Sequence, residues 1–295
     1  MTNWESVRRA VYRVRQHYRY SYTGAVWDLT HRLMMVPRDE YRGQRVLGFD
    51  LQVRGTEGDH TVRWERDQFG NRVARVVAAR VPQAIDFEAQ FRAERIRTDD
   101  DGVTVAPAPW GEKGPGLYLE PTALTAPDER IEAAARAIAS DTRDRRLRAL
   151  YAFEWASTAI RYQFGITGYT TPAAMALHLG RGVCQDFAHL YLAVARLLGI
   201  PCRYVSGHLV GEGAPHAWVE AMIPEGDDIE VVAYDPTHAR LTRMDYLTVA
   251  VGRDFADVSP TSGTYSGRAA GKLSATKRME IVEIEGGAER EEAIA

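Results

Sequence analysis

Along the first hundred residues apolar and polar positions alternate. Residues 11–15, 46–53, 60–64 and 72–77 are short runs rich in β-branched and aromatic side chains, bounded by turn formers, and that alternation predicts strands. Phe69-Gly70-Asn71 separates the last two and supplies hairpin turn chemistry. Residues 1–98 therefore form an antiparallel β-rich domain. Proline and glycine then crowd residues 99–127, which predicts a linker or a long ordered loop. From Asp128 the period changes to that of a helix. Alanine, arginine and glutamate dominate up to Tyr162, and a break near Ser140-Asp141 divides the stretch into two helices. Thr170-Thr171-Pro172 opens a short helix that ends at Leu179. Residues 128–295 are assigned to a catalytic domain, and the fold class is α+β.

One helix stands out. Phe187, Leu190, Tyr191, Val194, Leu197 and Leu198 fall on a single helical face, and Gly199 and Pro201 stop the run. Gly180 and Gly182 precede it, so Cys184 falls in the first turn. Unpaired N–H groups and the helix dipole there favour an anion, and hence a thiolate nucleophile. By itself such a cysteine is more simply a small buried residue. Three strands follow, at 203–210, 216–223 and 229–235, joined by turns. In an unbulged hairpin His216 and Asp235 are cross-strand partners, because their indices sum to 451 with the midpoint inside the turn. A carboxylate beside an imidazole fixes its tautomer and stabilises the imidazolium. A nucleophile, a base and an orienting acid are thus within reach of one another if the helix start packs over the hairpin.

Composition narrows the field. The chain has 295 residues, 45% hydrophobic and 26% charged, with 37 basic against 40 acidic side chains. That balance suits a folded protein and gives no electrostatic footprint for nucleic acid or a membrane surface. Two cysteines, Cys184 and Cys202, are too few for a disulfide framework, and the first residues have no apolar run of signal-peptide length, so the expected compartment is the cytoplasm. The eight histidines are scattered without an H-E-x-x-H pattern, so no metal and no cofactor is expected. His189 is expected in the core, Asp186 as favourable charge at the helix start, and Asp99-Asp100-Asp101 as a solvated loop.

The segments Gly182-Val183-Cys184-Gln185-Asp186-Phe187-Ala188-His189, Gly199-Ile200-Pro201-Cys202-Arg203-Tyr204-Val205-Ser206-Gly207, His216-Ala217-Trp218-Val219-Glu220 and Asp235-Pro236-Thr237 resemble, in order and spacing, the bacterial and archaeal branch of the transglutaminase-like superfamily. Asp67-Gln68-Phe69-Gly70-Asn71 is similar to the β-rich region that precedes the core in this branch. The resemblance implies a papain-like core and a Cys184–His216–Asp235 triad. It also implies thiol-dependent acyl transfer through a thioester, first as hydrolysis by a cysteine peptidase or amidase acting on a peptide or protein amide. Protein-glutamine transglutamination to an amine is the alternative, and a non-catalytic binding module on the same fold is a further one. The Cys184 backbone N–H is the natural oxyanion donor. Tyr162 and Gln163 are candidates for a second donor, and Trp218 and His238 for substrate lining. Nothing in the sequence sets the oligomeric state.

Overall fold

The computed structural model describes residues 2–98, 102–110, 114–226 and 228–286. The acidic run at 99–101 lies outside them. The N-terminal half is strand throughout: β1 (Arg9–Tyr22), β2 (Val26–Leu33), β3 (Glu40–Tyr41), β4 (Gln44–Arg54), β5 (Glu57–Arg66), β6 (Arg72–Val81) and β7 (Ala84–Ile96). All four strands expected from the alternation are present, within β1, β4, β5 and β6. β2, β3 and β7 are additional, although β7 alternates well, burying Ile85, Phe87, Ala89, Phe91 and Ala93.

The second half begins with β8 (Val103–Pro107), α1 (Gly116–Leu119), α2 (Glu129–Asp141) and α3 (Arg145–Ala159). Asp128 and Asp144 cap α2 and α3 by accepting first-turn N–H groups, which separates the two helices where the sequence breaks. Next come β9 (Arg161–Tyr162), α4 (Ala173–Leu179), β10 (Arg181–Gly182) and α5 (Cys184–Leu197). The remaining elements are β11 (Cys202–Leu209), β12 (His216–Glu225), β13 (Asp228–Asp235), β14 (Arg240–Leu241), β15 (Tyr246–Gly252), α6 (Phe255–Val258), β16 (Thr261–Ser266) and β17 (Gly271–Glu285).

Two sheets, ordered β17-β1-β7-β4-β3 and β16-β2-β6-β5, form a sandwich. Tyr18, Ile85 and Phe87 of one meet Leu29, Leu33 and Val76 of the other. The third sheet runs β14-β13-β12-β11-β15, with β8 added on β13. The sheet pairing cuts across the division expected from the sequence. β16 and β17, inside 128–295, return to the sandwich along β2 and β1, while β8, inside 99–127, extends the third sheet. Such pairings join positions far apart in sequence, which local patterning does not encode.

Helix α5 is buried along residues 185–196 because the third sheet covers one side and α2 and α3 the other. Leu197, expected on its apolar face, is exposed at the helix end. β15 forms an edge of the third sheet, and side-chain amides from the sandwich satisfy it. Asn71 both donates to the Val251 carbonyl (2.7 Å) and accepts from the Val251 N–H (2.9 Å). Gln44 does the same at Thr248, at 2.8 and 2.9 Å. The Asp67–Asn71 turn is therefore a strand-edge clasp. A second tie is a buried ion pair. Arg203 and Glu220 face each other across β11 and β12, 2.6 Å apart, and Tyr41 and Arg42 of the sandwich both reach the same Glu220 carboxylate. Among the described residues no helix is long and apolar enough to cross a membrane.

Candidate active site

Cys184 occupies the first position of α5, in a turn whose N–H groups lack helical partners. Asp186 fixes that turn. Its buried carboxylate accepts from the Val183 N–H (2.7 Å) and from the Thr167 hydroxyl (2.6 Å), tying loop 163–171 to the helix start. Gly182 is required by this close approach, since a Cβ there would lie 2.5 Å from Asp186 Oδ2. Burial raises the Asp186 pKa against these hydrogen bonds. The sequence reading of Asp186 as favourable charge at the helix start understates it, because the group is internal and specifically bonded.

The β12–β13 hairpin differs from the expected register by two. Val219 pairs with Tyr234, so facing indices sum to 453 rather than 451, and Asp235 is diagonal to His216. An even shift preserves the face, and a diagonal pair remains within reach of long side chains. His216 Nε2 lies 2.8 Å from Asp235 Oδ2. On its other side the ring's Nδ1 lies 3.3 Å from Glu212 Oε2, and Cys184 is close enough to favour the protonated ring. Burial alone pushes the imidazole toward its neutral form. The interactions with Asp235, Cys184 and Glu212 outweigh it and raise the His216 pKa. Asp235 is wholly buried, and burial opposes its ionisation. Its partners reverse this, and its pKa falls. Oδ2 receives His216, the Tyr246 hydroxyl (2.6 Å) and His238 Nδ1 (2.8 Å), while Oδ1 accepts from the backbone N–H groups of Thr237 (3.0 Å) and His238 (3.3 Å).

The cleft beside Cys184 has a volume of about 470 Å³ and is lined by residues of both halves. Tyr162 lies on its rim, 60% exposed, with Cys184 and His216 in its electrostatic surroundings. Gln163 donates its N–H to the Gly182 carbonyl (2.8 Å) and accepts from Arg181 at Oε1 (2.9 Å), which leaves its side-chain amide N–H groups as the donors it could offer. Two expectations are corrected. Trp218 does not line the cleft. It is 1% exposed and packs under the β12–β13 hairpin, against His216 and edge-on to Tyr246. Gly207 makes room for it, since a Cβ there would come within 2.4 Å of the indole. His238 is likewise outside the cleft lining, with its ring turned to Asp235 and Glu212. His189 is in the core as expected, its Nε2 accepting from the Phe255 N–H (3.2 Å). Tyr246 and Glu212 went unrecognised in the sequence. Glu212 lies four residues before His216 in the β11–β12 loop, whereas Tyr246 reaches Asp235 only through the β11–β15 pairing.

A helix carrying a cysteine at its start, packed on an antiparallel sheet that presents His216 and Asp235, defines a thiol–imidazole–carboxylate site on a papain-like core. Residues 132–236 match the transglutaminase-like superfamily and residues 12–94 match the bacterial transglutaminase-like N-terminal region, and the chain is a transglutaminase-like superfamily protein carrying both. An uncharacterized protein of Mycobacterium leprae is 42% identical over 165 residues, which cover 52% of this chain and 57% of that protein's length. An uncharacterized protein of Mycobacterium tuberculosis is 29% identical over 284 residues, covering 85% of this chain and 86% of that one. In structure the chain is similar to a Cytophaga hutchinsonii protein whose name proposes a cysteine protease. The TM-score is 0.70 at 20% identity, over 93% of this chain and 91% of the other, a likeness of fold.

Proposed function

We propose that this protein is a cysteine-dependent hydrolase of peptide or protein amide bonds, working through Cys184, His216 and Asp235. The observation that carries the proposal is the imidazole held by a buried carboxylate and sharing one cleft with a helix-start thiol close enough to favour its protonated form. In this reading the Cys184 thiolate attacks the amide carbonyl carbon. The Cys184 N–H stabilises the oxyanion, and the Tyr162 phenol on the rim is the second donor. The imidazolium of His216 then gives its proton to the leaving amine as the C–N bond breaks, leaving a thioester. Water, deprotonated by His216, attacks the thioester, releases the acid and restores the thiol. Asp235 holds the ring and balances its charge.

Hydrolysis is preferred over transfer to an amine because the rim is open to water. Tyr162, Phe164 and Tyr169 are 60, 86 and 67% exposed. The test is cleavage of a fluorogenic peptide library by the full chain, with mass-spectrometric trapping of the acyl group on Cys184. The expected result is turnover with acylation confined to Cys184 and abolished in Cys184→Ala. Incorporation of a fluorescent amine in excess of hydrolysis would instead establish the transferase, and tight peptide binding without any acylation would establish a binding module.

A further inference from the structure

Beside the reacting face of His216 lies a second arrangement that the proposed hydrolysis does not use. Glu212 stands between two imidazoles. Its Oε2 is 3.3 Å from His216 Nδ1, and its Oε1 is 3.4 Å from His238 Nε2. The inner nitrogens of both rings, His216 Nε2 and His238 Nδ1, each lie 2.8 Å from the same oxygen, Asp235 Oδ2. An ionised carboxylate only accepts, so each neutral ring carries its proton on the inner nitrogen and turns a lone pair outward. Both lone pairs then face the Glu212 carboxylate. Two carboxylates and two outward lone pairs repel unless a cation sits among them. The Lys277 ammonium near Glu212 offsets part of this repulsion, and a proton on His216 or a metal ion between the rings offsets the rest.

The geometry suits a metal ion. The three ligating atoms lie within 4.8 Å of one another. Ligands at about 2.0–2.1 Å from a tetrahedral zinc ion are spaced about 3.3–3.4 Å apart, and each imidazole stands at that spacing from one of the two Glu212 oxygens, so that an ion is reached by the carboxylate through either oxygen or both. Imidazoles whose second nitrogen is held by a carboxylate are the usual form of metal-binding histidine. Asp235 supplies that support to both rings, and is itself fixed by Tyr246 and two backbone N–H groups. The side chains of Glu212 and His238 are 34 and 37% exposed, which gives an ion a way in. Two imidazoles and one carboxylate favour a zinc-like divalent ion over magnesium or calcium. Cys184, which shares the cleft with His216, is a neighbouring sulfur donor.

We propose that Glu212, His216 and His238 form a binding site for a zinc-class divalent cation that overlaps the Cys184–His216 pair. Occupancy engages the same His216 nitrogen that faces Cys184, so the ion holds the site in a reversibly silent state. The silencing rests on the hydrolase reading, whereas the binding itself does not.

The experiment is calorimetric titration of the metal-free full chain with Zn²⁺, alongside visible absorption of the Co²⁺-loaded protein. The expected result is one equivalent bound with micromolar or tighter affinity and a tetrahedral Co²⁺ spectrum. Glu212→Gln and His238→Ala should each weaken binding at least tenfold, while His178→Ala, at an exposed histidine on α4, leaves it unchanged. Absence of saturable binding at roughly 100 µM Zn²⁺, or equal affinity in Glu212→Gln and His238→Ala, would overturn the proposal. If one ion binds through these residues but the metal-free chain cleaves nothing, the metal site stands and the hydrolase reading falls.

Discussion

The two walls of the cleft are made by different physics. On one side, Cys184 and His216 come from α5 and β12, backed by a charged network of Asp235, Tyr246, His238 and Glu212. On the other side, Tyr18 and Tyr20 of β1 and Leu273 and Ala275 of β17 face the same space from the sandwich. The described lining residues include no aspartate, glutamate, lysine or arginine. Charge is kept behind the imidazole rather than in the cleft. In the proposed hydrolysis one wall carries the chemistry and the other carries shape, and the two can be perturbed separately.

The largest effect is expected at Asp235. Replacing it with asparagine keeps the volume but removes the charge that His216 and His238 share. By analogy with other nucleophile–imidazole–carboxylate sites, kcat should fall by about 10³- to 10⁴-fold. Peptide hydrolysis by folded Asp235→Asn protein checks this. A loss below tenfold would mean that the carboxylate serves the hairpin alone and would remove the chemical half of the comparison.

The contrast between the walls also explains what could be read in the sequence. Cys184 is placed by the α5 start that follows Gly182, and His216 and Asp235 by a single hairpin, so short-range rules reach all three. The register differed by two, and the even shift kept both side chains on one face. The far wall depends on β1 pairing with β17 across most of the chain, for example Tyr20 opposite Leu273. No turn length sets that register. Trp218 shows a second limit. Alternation gives its side of the strand, but which neighbours cover that side depends on the sandwich. Arg203 and Glu220 stood in the recognised motifs without a stated role, and only the assembled seam shows them bonding to each other and to Tyr41.

An intermediate effect is expected on the shape wall. Leu273→Ala opens the apolar side of the cleft without touching the network behind His216. The change should act on kcat/KM for substrates with a large apolar acyl side chain, by about 10-fold or somewhat more, and leave small acyl groups nearly unaffected. Paired measurements on peptides differing only at the acyl residue test this. Equal losses for both peptides would show that the sandwich wall stabilises the fold and does not select the substrate.

The smallest effect concerns pH, and it sets one histidine against another. His216 on the chemical wall has its pKa raised by its carboxylate partners despite burial, and Asp235 has its pKa lowered. The stability owed to the raised His216 is fully present below about pH 6.5 and is lost only as pH rises through its folded value, while that owed to Asp235 is lost only in acid below about pH 4. Behind the shape wall His31 is the reverse case. It is 3% exposed, packed edge-on against Tyr20 and beside Phe87, and burial lowers its pKa to about 4. The unfolded chain takes up a proton there that the folded chain refuses, so acid favours unfolding between about pH 6.5 and 4, by up to roughly 1.4 kcal/mol per pH unit. His189 in the core, lowered to about 3 by burial and the nearby Arg196 charge, adds a parallel slope. Denaturant unfolding at pH 7 and pH 5 should therefore show acid weakening that His31→Leu reduces by about 2 kcal/mol or less over that interval. If His31→Leu leaves the slope unchanged, the ring is reached by water in the folded state, and the sandwich wall is less dry than its packing implies.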